Sequence, residues 1–195
     1  MKFGYSSSSS FPPVVKNLLI LNIIMFAGTY LLLNKGVDLY TPLAIHYPGS
    51  DLFKPWQVVT HLFMHGSLSH LFFNMFTLWM FGRNLELIWG SKRFFNFYFL
   101  TAFGAMILYY LVIFIQIKSI DPAIIQELKD MGGEEYQSLT MIKTYLKGPA
   151  ELFYGSAVGA SGAIMGLLGA TYVLFPNSTV YLYFAIPVKM KYFVF

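Results

Sequence analysis

The sequence predicts an all-α polytopic membrane protein, and three observations carry that prediction. Of 195 residues, 56% are hydrophobic and only 11% are charged, where soluble domains carry about 25% charged residues. Mean hydropathy is +0.58. The apolar residues are gathered into runs of about 20, the length that crosses a hydrocarbon core of roughly 30 Å. A chain of this length reads as one domain, with a low-complexity lead over 1–13 ("MKFGYSSSSSFPP") and a membrane domain over 14–195.

Four spans are expected in order. The first covers 14–33, held at its start by Pro12 and Pro13 and carrying Lys16 where its stem can snorkel. The second covers 68–89 and contains polar residues. The third, 94–117, is almost uniformly apolar. The fourth, 157–175, is rich in glycine and alanine. Between the third and fourth lies a segment that does not cross. In "DPAIIQELKDMGG", Asp121 reads as an N-cap, Pro122 as the first helical residue and Gly132 as the stop. "EEYQSLTMIKTYLKGP" repeats the design, with Tyr136, Leu139, Ile142, Tyr145 and Leu146 at helical spacing. Two amphipathic helices at the membrane interface fit this segment. "NSTVYLYFAIPVKMK" is too interrupted to span, and "YFVF" begins a further apolar run at which the sequence stops. The chain therefore reads as cut short within a fifth span.

The net charge of +4, from 13 basic and 9 acidic residues, is scattered without a basic stripe, so nucleic acid is not an expected partner. There are no cysteines, which excludes disulfides and thiolate chemistry. Arg83, Lys92 and Arg93 crowd the short connection after the second span, while the basic residues of the other side are diluted over long loops. This distribution favours a cytoplasmic N-terminus, and the default location is a bacterial plasma membrane. The amino ends of the second and fourth spans then share one depth near the outer side.

Strongly polar groups inside spans are costly and point to function. "THLFMHGSLSHLFFNM" supplies His61, His65, His70 and Asn74. His70 and Asn74 are four apart, hence on one helix face. Their N–H groups could stabilise an oxyanion, or they could be hydrogen-bonding glue between helices. His61 and His65 have the spacing of a two-histidine metal site, but Leu62 stands where a zinc protease needs glutamate, so no metal is expected. Arg83 and Glu86, three apart, are expected to form an ion pair. In "GASGAIMGLLGA", Gly162, Gly166 and Ala170 form a small-residue ridge for close helix packing. Ser161, flanked by small residues at the helix start, is a candidate nucleophile with a free backbone N–H beside it. Packing and chemistry both remain open for this stretch, and close packing is expected to bring Ser161 toward the His70 and Asn74 face.

Together, "PWQVVTHLFMH", "HGSLSHLFFNM", "GRNLE" and "GASGAIMGLLGA" resemble the rhomboid family of intramembrane serine proteases, over residues 54 to the end. The resemblance implies a six-helix bundle, of which about four spans and the start of a fifth are present, with a long first loop (34–67) partly embedded in the outer leaflet. It implies that Ser161 is the nucleophile of a Gly-x-Ser-Gly motif formed by Gly159, Ala160, Ser161 and Gly162. His70 and Asn74 would complete the oxyanion site, with His65, Gly159 and Gly162 as structural residues near it. It implies no cofactor or metal, and substrates that are single-pass transmembrane proteins cut near the outer membrane boundary, where small or helix-weakening residues let the strand unwind. The family's general base is a histidine of the sixth span in an Ala-His-x-Gly context. All four histidines here precede Ser161, so the implied base lies beyond Phe195 and the chain as printed is not expected to cleave. A non-proteolytic relative that binds transmembrane helices is the competing reading, opposed by the joint presence of Ser161, His70 and Asn74.

Overall fold

The computed structural model describes residues 11–138, 144–182 and 186–193. Most of the low-complexity lead, Leu139 and Ile142 of the second amphipathic helix, and the last two residues of "YFVF" lie outside the described residues.

Helix α1 (Pro13–Leu33) opens on a proline, whose missing amide costs nothing at a first helical position. Its next two amides are satisfied from far along the chain. The Glu86 carboxylate accepts from the Val14 amide at 3.0 Å, the Val15 amide at 2.8 Å and the Ser91 hydroxyl at 2.7 Å. A carboxylate there also complements the helix dipole. The expected pairing of Glu86 with Arg83 is therefore corrected: the buried carboxylate has three donors that no local spacing rule could name.

The first loop carries α2 (Tyr40–Leu43), the two-residue strand β1 (Ile45–His46) and the single turn α3 (Gln57–Thr60), which tightens into a 3₁₀ turn over His61–Phe63. Next, α4 (Leu68–Thr77), a π turn over Leu78–Gly82 and α5 (Arg83–Trp89) run without a break. Gly82 marks the π turn because a methyl there would stand 3.0 Å from Leu78 and 3.3 Å from both Phe94 and Val15. Three helices close on that point. Gly90, at φ 79°, turns the chain into α6 (Ser91–Lys118).

At 21 and 28 residues, α1 and α6 are about 32 and 42 Å long at 1.5 Å per residue, enough to cross a bilayer core. Only 22% and 17% of their most apolar windows are buried, so neither is the core helix of a soluble domain. Ile20, Ile24 and Leu31 of α1 and Ile107, Leu111 and Ile115 of α6 point outward. Such apolar exteriors suit a lipid surround, and the fold is that of an all-α integral membrane protein.

Beyond α6, Asp121 caps α7 (Pro122–Met131) by accepting from the Ala123 amide at 2.8 Å, and Gly132 at φ 77° stops it. Both signals were local and both are realised. Then α8 (Gly133–Ser138) and α9 (Thr144–Tyr154) follow. Helix α9 runs through Pro149. Continuing the helix buries Ala150, Phe153 and Tyr154 against Leu128, Ile113 and Ile117, which offsets the hydrogen bond that proline removes.

The fourth apolar stretch also differs from its expected 157–175 bounds. Ser156–Ala157 form strand β2, antiparallel to β1 with Ile45 opposite Ala157, and α10 begins only at Ser161, ending at Leu174. The Gly162 and Gly166 ridge packs on α6 rather than on the second span. A methyl at Gly162 would stand 2.5 Å from the Ala105 Cβ, and one at Gly166 2.5 Å from the Thr101 Cβ. The interrupted segment after α10 is a hairpin, β3 (Thr179–Leu182) with β4 (Ile186–Lys189), followed by α11 (Met190–Phe193). One apolar core, including Val15, Leu71, Leu78, Tyr98, Ala163 and Leu167, joins α1, the second span, α6 and α10.

Candidate active site

The site forms where the loop before α4 meets the loop before α10. Ser67 is the N-cap of α4, its hydroxyl accepting from the His70 amide at 3.1 Å. This starts the helix so that His70 and Asn74 project one turn apart from its inner side. On the other strand of chain, the Gly159 amide donates to the His61 carbonyl at 2.8 Å. Gly159 has φ +115°, a conformation that side chains rarely adopt, and a methyl on it would stand 2.8 Å from Cε1 and Nε2 of His70 and 3.6 Å from Asn74 Nδ2. Glycine is demanded twice here, by backbone conformation and by close approach. The N–H-bearing atoms of both residues therefore face one point beside the Gly159 backbone.

Ser161 opens α10 two residues later. The first hydrogen bond of that helix runs from the Ile164 amide to the Ala160 carbonyl at 3.0 Å, so the amides of Ser161, Gly162 and Ala163 precede the ladder. Free amides at a helix start favour negative charge. Ser161 is exposed and lines, with His61, Gly159 and Gly162, a cavity of about 170 Å³ between α6 and the two loops. Among the described residues no hydrogen bond engages the Ser161 hydroxyl.

His65 completes the constellation. It is almost wholly buried, and its Nε2 accepts from Asn74 Nδ2 at 3.1 Å. Its ring meets that of His70 edge-on with centroids 5.0 Å apart, and its carbonyl accepts from the Tyr40 hydroxyl at 2.8 Å. His65 lies outside the spanning helices. Burial and the neighbouring His70 hold its pKa down at about 4, so its imidazole is neutral at pH 7. The partner at the expected metal-site spacing, His61, is engaged separately, its Nδ1 standing 2.7 Å from the Gln57 carbonyl. The fourth histidine, His46, sits between the carbonyls of Tyr154 at 3.1 Å and Thr41 at 3.2 Å.

The structure thus brings His70 and Asn74 to Gly159, two residues before Ser161, with His65 bonded to Asn74. Gly162 packs on α6 instead. Tyr40 was missed at the sequence level, because nothing in a single tyrosine's spacing announces a contact 25 residues away. Chemically, the nitrogens of His70 and Asn74 meet the Gly159 backbone just ahead of the free amides that open α10, and N–H groups of this kind are what a tetrahedral oxyanion requires.

Comparison with known proteins bears on half of this constellation. Residues 52–118 match the family model described as the Rhomboid domain, a stretch that contains His61, His65, His70 and Asn74 and ends before Ser161. Rhomboid-like protease 3 of Toxoplasma gondii is 37% identical over 59 residues. Those residues are 30% of this chain and 22% of the relative, so the matched stretch spans about a fifth of that protein's length.

Proposed function

The chain belongs to the rhomboid family, and on that premise we propose that it is a serine endopeptidase acting within the membrane on transmembrane segments of single-pass proteins. Ser161 is the nucleophile, and His70, Asn74 and the Ser161 amide hold the oxyanion. The observation that carries this reading is the Gly159 turn, which sets His70 Nε2 and Asn74 Nδ2 against the backbone two residues before an exposed serine.

The chemistry follows from the donors. The Ser161 Oγ attacks the scissile carbonyl carbon as its proton passes to a base. The C=O pair moves onto oxygen, and the three N–H groups stabilise the resulting charge. Collapse breaks the C–N bond, the amine leaves with a proton, and water later hydrolyses the acyl-enzyme. None of the four histidines is hydrogen-bonded to Ser161, so in this proposal the base belongs to a part of the assembled site outside the constellation described above.

The length of α10 supports cleavage below the membrane surface. Fourteen residues make about 21 Å, against a hydrocarbon core of roughly 30 Å. With its carboxyl end at one face, α10 starts roughly 9 Å short of the other. The Lys and Arg distribution puts the N-terminus on the cytoplasmic side in this reading.

A binder of transmembrane helices without catalysis is the second reading, and the unengaged Ser161 hydroxyl favours it. A fluorophosphonate probe separates the two in full-length protein reconstituted in lipid. Labelling and cleavage of a transmembrane reporter, both abolished in Ser161→Ala, are expected. A folded protein that does neither would establish the binder.

A further inference from the structure

Asn74 can donate to an oxyanion only if its amino end, and not its carbonyl, faces the reacting atom. A carboxamide is nearly symmetric in shape, and a half-turn about its last bond exchanges two donors for an acceptor. The flipped form would aim lone pairs at the negative charge. Something beside Asn74 must therefore choose between the two orientations.

We propose that His65 is the positioning residue that makes this choice, its Nε2 lone pair taking one Nδ2–H of Asn74 and so directing the other toward the Gly159 backbone. The inference rests on the protease reading above. The hydrogen bond is 3.1 Å long and buried, and Asn74 Nδ2 lies 3.6 Å from where a Gly159 methyl would be, so the same nitrogen serves both directions. With Nε2 accepting, the imidazole proton resides on Nδ1, a buried atom without a hydrogen-bond partner among the described residues. The Phe63 backbone also acts on this ring, and the tautomer that leaves Nε2 free to accept is the one the Asn74 contact requires. Two further contacts fix the ring: the Tyr40 hydroxyl holds the His65 backbone, and the His70 ring stands edge-on against it. One imidazole thus touches both proposed oxyanion donors and makes no hydrogen bond with Ser161. His65 acts through Asn74.

The test is a double-mutant cycle in the full-length protein in proteoliposomes, with a transmembrane reporter. His65→Ala is expected to lower kcat by about 10²-fold, the scale of losing one oxyanion donor, with KM changed less than about twofold. In an Asn74→Ala background the same substitution should cost almost nothing further, because its route to the reaction is gone. His65→Gln, whose carbonyl can accept from Asn74, should recover most of the rate. A full additional loss in the Asn74→Ala background would overturn the proposal, since a merely structural histidine behaves that way. The imidazole ¹⁵N signals read the bond without any activity: the Nδ1–H tautomer is expected for His65, and an Nε2–H tautomer overturns it. A wild-type protein that folds but neither cleaves nor labels is a different failure, of the protease reading itself, and is seen before any His65 variant is made.

Discussion

The molecule has two buried polar centres built from the same kinds of side chain, and they are finished to different degrees. In the first loop, the Gln57 carboxamide is saturated. Its Oε1 accepts from the Lys54 amide at 3.0 Å and the His46 amide at 3.4 Å, and its Nε2 donates to the Leu52 carbonyl at 3.0 Å and the Thr41 carbonyl at 3.1 Å. At the second centre, the Asn74 carboxamide has a bond to His65, while the Ser161 hydroxyl and the first amides of α10 have no partner among the described residues. Buried polar groups in folded proteins are almost always paired. A centre that pairs everything is there to hold the chain. One that leaves donors open, around an exposed hydroxyl, is where the proposed chemistry has room to act.

Substitution of the two carboxamides by alanine would test that distinction, and the larger effect belongs to the open centre. Asn74→Ala, like His70→Ala, is expected to lower kcat by roughly 10²–10³-fold, while costing only about 1 kcal/mol of stability for a single lost hydrogen bond. Cleavage kinetics and a thermal melt on the same preparation measure both quantities. If stability fell as far as the rate, the second centre would be structural after all.

Gln57→Ala should show the reverse pattern. It strands the Leu52 carbonyl and two amides in the interior at once, and about 3 kcal/mol of destabilisation follows from that many unmet groups. The α3 turn and the first loop should loosen, seen as faster amide exchange over 44–57. Cleavage per folded molecule should change little, because Gln57 touches neither Ser161 nor its donors. A rate loss as large as that of Asn74→Ala, in protein that remains folded, would erase the distinction between the centres.

How much of this was legible in the sequence depends on whether the deciding contact was local. The apolar runs of α1 and α6 declare themselves by length and composition alone, and Asp121, Pro122 and Gly132 bound α7 through rules that operate within a few residues. The one-face placement of His70 and Asn74 is a matter of helical period. Where a partner lies far along the chain, the pattern names a need without naming what meets it. Glu86 plainly needed donors, and they come from the starts of α1 and α6. The Gly162 and Gly166 ridge needed a close neighbour, and it is Ala105 and Thr101 of α6 rather than the histidine face. The pairing of Ile45 with Ala157 involves two residues on each side, too short for any alternation to register. The passage of α9 through Pro149 depends on the apolar surface it buries beyond that residue, which lies far along the chain. The pairing of Thr179–Leu182 with Ile186–Lys189 was missed for another reason: Pro187 argues against a strand, yet a two-stranded sheet has only edges, where proline is tolerated.

The smallest expected effect is a pH dependence, and it bears on the same comparison because the open centre contains a neutral histidine bonded to a proposed oxyanion donor. Burial first, and the adjacent His70 second, lower the His65 pKa from 6.5 to about 4. Between those two values the unfolded chain binds a proton that the folded chain does not, so stability rises with pH across that interval. The contribution is complete above about 6.5, the unfolded value, and is lost as pH falls through about 4. Protonated Nε2 can no longer accept from Asn74, so the rate should decline in the same direction at the acid end. Denaturant midpoints taken from pH 7.5 to pH 4.5 should therefore fall in the wild type and fall less steeply in His65→Gln, which does not titrate. His61, lowered in the same direction by burial, keeps its own share of the slope in both proteins. An unchanged slope in His65→Gln would mean that His65 holds no proton-sensitive bond, and the open centre would then owe its orientation to packing alone.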